Sequence, residues 1–232
     1  MTGYGQFCPV AKAMELLDER WTLLVVRELL MGSRHFNDLR RGVPRMSPAL
    51  LSKRLRTLTQ AGVVERRDHG GRVSYVLTDA GAELRPVVEA LGAWGVRWVP
   101  ALGDEDLDPA LVMWDVHRNL NFDAMPDGRT VIHFQFTGVP ARSARWWLVV
   151  DADGVDVCDT DPGHLITVTV ITPLRLFTDV WRGEITWNQA ATNGLRIDGA
   201  AWARRALPQW LRLSAFASLP RPDRQSLAAL PG

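Results

Sequence analysis

Ser47, Ser52, Lys53 and Arg56 have the types and spacing of side chains that hydrogen-bond to nucleic acid from one side of a helix. On a helical wheel starting after Ser47, Leu51, Leu55 and Leu58 fall on one stripe with Gly62 in phase. Ala49, Lys53, Arg56 and Gln60 lie opposite, flanked by Ser52. Donors on an outward face, with only small residues near the helix start, suit the major groove, where base edges are read by hydrogen bonds. Arg66, Arg67 and Arg72 lie on two β-rich runs, 63–67 and 72–77, around Asp68-His69-Gly70-Gly71. That pattern predicts a hairpin whose arginines run along the phosphate backbone or into the neighbouring minor groove. Arg34 heads the preceding helix and adds a further phosphate contact. A basic helix face alone is as readily a solvated face. The two helices and the arginine-bearing hairpin together favour double-stranded DNA.

The elements that hold these residues can be read outward from them. Cys8-Pro9 precedes Val10, Ala13, Met14 and Leu17, the stripe of an amphipathic helix. The dense apolar run 21–31, stopped by Gly32, predicts a buried helix. Ser33 is expected to cap a short helix over 34–41, closed by Gly42. Ser47 is the expected N-cap of the next helix, with Pro48 in its first turn, an end near Gln60 and a cap at Gly62. After the hairpin, Thr78-Asp79 starts a helix carrying Leu84, Val87, Val88 and Leu91 to about Trp98. Pro100 to Asp108 is acidic and broken by Pro and Gly, which reads as a linker.

The chain has 232 residues, 47% hydrophobic and 23% charged, enough for one or two globular domains with a sizeable core. Its net charge of +1 conceals an asymmetry, since residues 1–100 hold 15 Lys+Arg against 10 Asp+Glu. Within 32–73 the count is 10 against 3, so a basic block stands beside an acidic remainder. Eight of the ten tryptophans lie from Trp98 onward, which marks a second unit of different character. A mean hydropathy of -0.07 and the lack of a long apolar run argue against a membrane span. The first residues lack signal-peptide blocks, and two cysteines make no disulfide framework, so a reducing cytoplasm is expected.

The second unit begins with a helix from Pro109. Residues 130–136 then alternate, with Ile132, Phe134 and Phe136 on one side and Val131, His133 and Gln135 on the other. Residues 146–150, the turn Asp151-Ala152-Asp153-Gly154 and residues 155–157 form a second hairpin signal, and 165–171 is a further strand. Helical patterns follow around 174–181 and 200–213, separated by a short run at 195–199. The expected fold class is α+β. A winged helix-turn-helix domain over 1–98 and a linker over 99–108 lead to an α+β domain over 109–218, with a mainly antiparallel sheet covered by helices. A tail over 219–232 follows.

Motifs occur in order along residues 7–98. They are Cys8-Pro9-Val10, then Trp21-Thr22-Leu23-Leu24 with Arg27-Glu28-Leu29-Leu30, then Arg34-His35-Phe36-Asn37-Asp38-Leu39-Arg40. Ser47-Pro48 with Leu51-Ser52-Lys53-Arg54-Leu55, then Ala61-Gly62-Val63-Val64-Glu65-Arg66, and Tyr75-Val76-Leu77-Thr78-Asp79-Ala80-Gly81 complete the series. This stretch resembles the HxlR-type winged helix-turn-helix regulators. The resemblance implies a dimeric bacterial transcription factor, paired through its terminal helices on a pseudo-palindromic operator, with recognition helices about 34 Å apart. In some members of that family the cysteine matching Cys8 senses oxidants or electrophiles, and a thiol near a helix N-terminus can be reactive. Cysteine is also often a small buried hydrophobe, and no second cysteine lies nearby in sequence.

In the second half, Asp179-Val180-Trp181-Arg182-Gly183-Glu184, Trp187-Asn188-Gln189-Ala190 and 193–199 resemble the closing motifs of sterol-carrier-protein-type domains, over about 110–218. That likeness implies helices packed on a sheet around an apolar tunnel for lipids or other hydrophobic molecules. Phe134, Phe136, Trp146, Phe177, Trp181 and Trp202 are the aromatics expected to line it, with Trp114, Phe122, Trp147, Trp187 and Trp210 as further candidates. Residue by residue, core packing is the plainer role of each.

Other chemistries fail on spacing. Asp151-Ala152-Asp153-Gly154-Val155-Asp156 approaches a calcium loop, but its glycine comes two places early and Pro162 stands where the bidentate glutamate belongs. The histidines at 35, 69, 117, 133 and 164 form no paired-ligand spacing, and no Gly-x-Ser-x-Gly elbow occurs. No metal, cofactor or catalytic set is expected, and the chain does not read as an enzyme. The expected function is a DNA-binding transcriptional regulator, a repressor, controlled by an apolar small molecule held in the second domain. The alternative is a carrier of lipids or hydrophobic small molecules whose first half serves for dimerisation. The basic block disfavours it.

Overall fold

The computed structural model describes residues 3–99 and 102–221, so most of the expected tail lies outside the described residues. The chain divides into two units, Met1–Gly95 and Val96–Gly232.

The first unit runs α1 (Pro9–Leu17), α2 (Thr22–Leu30), α3 (Phe36–Gly42), α4 (Pro48–Gln60), the hairpin β1 (Val64–His69) and β2 (Arg72–Leu77), then α5 (Asp79–Ala82) and α6 (Arg85–Trp98), within whose last turn the division falls. Its core joins Val25, Val26 and Leu29 of α2 to Leu39 of α3 and to Leu51, Leu55 and Leu58 of α4. Each such leucine, taken from water, contributes roughly 2 kcal/mol before entropy is charged against it. The periodicity of α2 and α4 is therefore enough to fix which sides face inward.

Two expected boundaries differ. Ser33 does not cap α3. Its hydroxyl is turned to Glu28 Oε2 at 3.4 Å, and the Arg34 carbonyl accepts Tyr75 N–H at 2.8 Å, so 33–35 stays extended and α3 starts at Phe36. The single helix expected from Thr78 is two helices. Pro86 has no N–H to give to Ala82, and the break falls just before it.

The second unit holds α7 (Pro109–His117), a five-stranded sheet and three further helices. In chain order these are β3 (Thr130–Thr137), β4 (Arg145–Asp151), β5 (Gly154–Cys158), β6 (Val168–Pro173), α8 (Leu174–Trp181), α9 (Trp187–Thr192), β7 (Arg196–Gly199) and α10 (Ala201–Trp210). The spatial order is β5-β4-β3-β6-β7. The β3–β6 pairing is parallel and the other three are antiparallel, so the sheet is mixed. Ile132, Phe134 and Phe136 of β3 share one core with residues of α7, α8 and α10, including Met113, Phe177, Leu207 and Trp210. Trp210 is fully buried, and its indole N–H is satisfied by the Ala124 carbonyl at 2.9 Å. On the opposite sheet face His133 stacks on Trp147 with centroids 4.7 Å apart. Burial, with Arg145 nearby, holds its imidazole pKa below the ordinary value.

Candidate nucleic-acid interface

The hydroxyl of Ser47 accepts the Leu50 N–H at 3.3 Å, and Pro48 occupies the first turn, so α4 begins where the sequence places it. It ends in a left-handed Gly62, φ +72°, with Val63 N–H returning to the Leu58 carbonyl at 3.0 Å and Gly62 N–H to Thr59 at 3.1 Å. Between these stops Leu51, Leu55 and Leu58 are buried, while Ala49, Lys53, Arg56 and Gln60 are exposed and Ser52 is half-buried. Among the described residues neither Lys53 nor Arg56 is ion-paired, so both cations stand free above α4.

Buried and half-buried charged residues behind α4 hold it and its neighbours in place. Arg54 is buried on the flank of α4, donating Nε–H to the Arg20 carbonyl at 3.2 Å and pairing with Glu19, both in the α1–α2 connection. Arg27 bridges the buried Glu28 carboxylate at 2.8 Å and the Gly42 carbonyl at 2.9 Å, which ties α2 to the end of α3. A side chain at Gly42 would overlap the Glu28 carboxylate. Sequence reasoning did not single out these residues. Its available signal was charge inside apolar stretches, Glu28 within 21–31 and Arg54 beside Leu51 and Leu55.

The hairpin turns on Gly70 and Gly71, φ +62° and +88°, a two-residue turn that favours glycine. Asp68 Oδ1 accepts Gly71 N–H at 3.0 Å, and His35 Nδ1 lies 3.0 Å from the Val73 carbonyl, which docks the hairpin on the α2–α3 connection. Register pairs Arg66 with Tyr75 and His69 with Arg72, so alternation puts Arg66 and Arg72 on opposite faces of the wing. Arg66 is 3.4 Å from Asp68, and Arg67 is 2.8 Å from Glu65. Both pairs are exposed and weak enough to yield to a phosphate. Arg72 and Arg34 are exposed, and among the described residues neither is ion-paired.

The model of the HxlR-like helix-turn-helix family matches residues 16–102, which contain this whole assembly. The HTH-type transcriptional regulator YvaP of Bacillus subtilis is 36% identical over 41% of this chain and 92% of its own length. The chain belongs to the HxlR-like helix-turn-helix family. The HTH-type transcriptional regulator sll1512 of Synechocystis is 37% identical over 41% of this chain and 73% of its own length. The solved reduced form of the transcriptional regulator YodB from B. subtilis is 32% identical, covering 39% of this chain and 92% of that one, with a TM-score of 0.35. The HxlR-like match ends at residue 102, short of the sheet of the second unit.

Cys8 stands immediately before α1, half-buried and not disulfide-bonded. The backbone N–H groups of Ala11 and then Val10 hold its thiol pKa below the ordinary value. Its thiolate therefore persists to lower pH. In a Cys158→Ser background, alkylation of Cys8 by iodoacetamide should show a pH midpoint below that of free cysteine, about 8.5. A midpoint at or above that value would show that the start of α1 does not activate it.

Outside the HxlR-like region, most of the sequence-expected aromatics meet in or against one packed core. Phe134, Phe136 and Phe177 meet with ring centroids 5.2–6.0 Å apart within the core, Phe177 edge-on to Phe134, and Trp181 is buried in the same core. Trp146 is half-buried, its N–H given to the Ser143 carbonyl at 2.9 Å, and Trp202 is half-exposed 5.9 Å from Trp210. Two open clefts flank α9 instead. One, of about 460 Å³, includes Val180, Ile185, Trp187 and Leu213, and the other, of about 440 Å³, includes Trp187, Leu195, Ile197 and Arg204. None of the six lines either cleft, whereas Trp187 lines both. Among the described residues no cluster of His, Cys, Asp or Glu could hold a metal ion, and no helix is long and apolar enough to cross a membrane.

Proposed function

We propose that this chain is a homodimeric, sequence-specific DNA-binding repressor acting in the cytoplasm, with α4 in the major groove. Its residues 109–218 form a sterol-carrier-like domain that takes an apolar small molecule and biases operator binding. The observation that carries the reading is the face of α4, where Lys53 and Arg56 stand exposed without ion partners beside Ser52, on a helix anchored from behind. Ser47, Ser52, Lys53 and Arg56 would meet base edges, and Arg34, Arg66 and Arg72 the phosphates. The regulator names of YvaP and sll1512 support the same reading.

Pairing through the terminal helices is supported by what they leave uncovered. Val87, Leu91, Trp94 and Trp98 are all about half-exposed on α6, spaced 4, 3 and 4 residues apart as in a coiled-coil seam. Phe7 and Val10 of the first segment are 100% and 69% exposed, which is costly unless a second copy covers them. A ligand in the second domain shifts DNA binding only if it prefers one arrangement of the dimer, so the ligand and the operator must be coupled thermodynamically. A redox input at Cys8 is supported by its lowered thiol pKa and its place at the start of α1.

The test is a gel shift with duplex DNA from upstream of the chain's own gene against a scrambled duplex, with heparin as competitor. Tight, heparin-resistant binding to the first alone is expected. Equal affinity for both would overturn sequence-specific regulation. In the same assay Arg72→Ala should reduce the log-log slope of affinity against salt by about one unit, the contribution of one neutralised phosphate. An unchanged slope would remove Arg72 from the interface.

A further inference from the structure

We propose that the cleft between α9 and α10 binds a small anionic amphiphile, a molecule with an apolar body and a carboxylate at one end. The inference deepens the ligand-controlled reading above and rests on it for its regulatory meaning, though not for binding itself. The cleft measures about 440 Å³, within the range of small-molecule pockets. Its walls combine the half-buried Trp187 and Ile197 with the buried Leu195 and the ring of Pro208.

Charge decides which molecule fits. On α10, Ala203, Leu207 and Trp210 are buried, which turns Ala201, Arg204, Arg205 and Pro208 toward the cleft. Both arginines are exposed, and among the described residues neither is ion-paired. Two guanidinium forks beside an apolar trough match a carboxylate whose chain lies along Trp187 and Leu195. The neighbouring cleft on the other side of α9 has the opposite character. Its Glu184 is tied to Arg182 at 2.8 Å, and Thr186 and Gln189 are spent on capping α9. Among the described residues, no cation lines that cleft for an anion to meet.

The probe is 1-anilinonaphthalene-8-sulfonate, an anionic apolar fluorophore, on the full-length protein, displaced by decanoate or by decan-1-ol. Decanoate should displace it at much lower concentration than decan-1-ol. The double variant Arg204→Gln/Arg205→Gln should weaken decanoate by roughly 10- to 100-fold, less than two buried charge-assisted hydrogen bonds would give because both guanidinium groups are exposed, and leave decan-1-ol nearly unchanged. Ala191→Phe, at an exposed position lining the cleft, should block both ligands while thermal unfolding stays as in the parent. Equal displacement by acid and alcohol, or full decanoate affinity in either variant, would overturn the site. So would weaker DNA binding by the double variant without decanoate, since the arginines would then serve the phosphate backbone. Decanoate binding that leaves DNA affinity unchanged would uphold this site while sinking ligand control, and loss of DNA specificity alone would leave the site standing.

Discussion

Replacing Lys53 and Arg56 together by alanine is expected to lower operator affinity by about 10²- to 10⁴-fold without unfolding the protein. Each donor that reaches a base edge or an adjacent phosphate is worth about 1–3 kcal/mol, and a tenfold change in affinity corresponds to about 1.4 kcal/mol. The fold should survive because both side chains are exposed, neither is ion-paired among the described residues, and alanine is at least as good a helix former as either. The buried stripe of Leu51, Leu55 and Leu58 and both ends of α4 are untouched. Thermal unfolding within a degree or two of the parent, with the loss of the specific gel-shift complex, is the expected pair of results. Retained affinity with an intact fold would mean that α4 does not enter the groove.

The span and outward face of α4 were legible because their determinants are local. Ser47-Pro48 at one end and Gly62 at the other set the span of α4, and its apolar period fixes the outward side without knowledge of the rest of the chain. The wing was legible for the same reason, since Gly70-Gly71 between β-rich runs supplies the two left-handed residues that a two-residue hairpin turn requires. What the sequence concealed is long-range. Ser33 has the type of a helix cap, but a carboxylate five residues earlier takes its hydroxyl, and the strand partner Tyr75 lies 41 positions after Arg34. The parallel β3–β6 pairing joins strands some 36 residues apart, and nothing in either strand's alternation states its direction. The aromatics of the second unit were read as one lining. Phe134, Phe136, Phe177 and Trp181 share one packed core, because rings at alternating strand positions meet each other across it. Arg204 and Arg205 carried no motif, and only the folding of α10 against β7 sets them over an apolar trough.

The same long-range logic gives Arg27 a structural role that its sequence neighbours do not announce. Its guanidinium is the bridge between the Glu28 carboxylate, fully buried, and the Gly42 carbonyl at the end of α3. Arg27→Ala leaves Glu28 with fewer partners in a place water does not reach. Removing one member of a fully buried pair costs about 3 kcal/mol or more, and the half-buried Arg27 brings this to about 2 kcal/mol, whereas replacing both by apolar residues often costs little. The expected result is a fall in Tm of roughly 10 °C or more, with recovery of much of it in Arg27→Met/Glu28→Met. Loss of less than about 1 kcal/mol in urea unfolding would show that the pair is solvated and does not hold α3. Gly42→Ala approaches the same contact from the other side. Helix propensity alone favours alanine there by about 1 kcal/mol, so destabilisation can only come from overlap with Glu28. In a Glu28→Ala background the overlap is gone, and the sign of the Gly42→Ala effect should reverse. A loss of equal size in both backgrounds would place the strain in the α3 backbone and separate Gly42 from the Arg27–Glu28 pair.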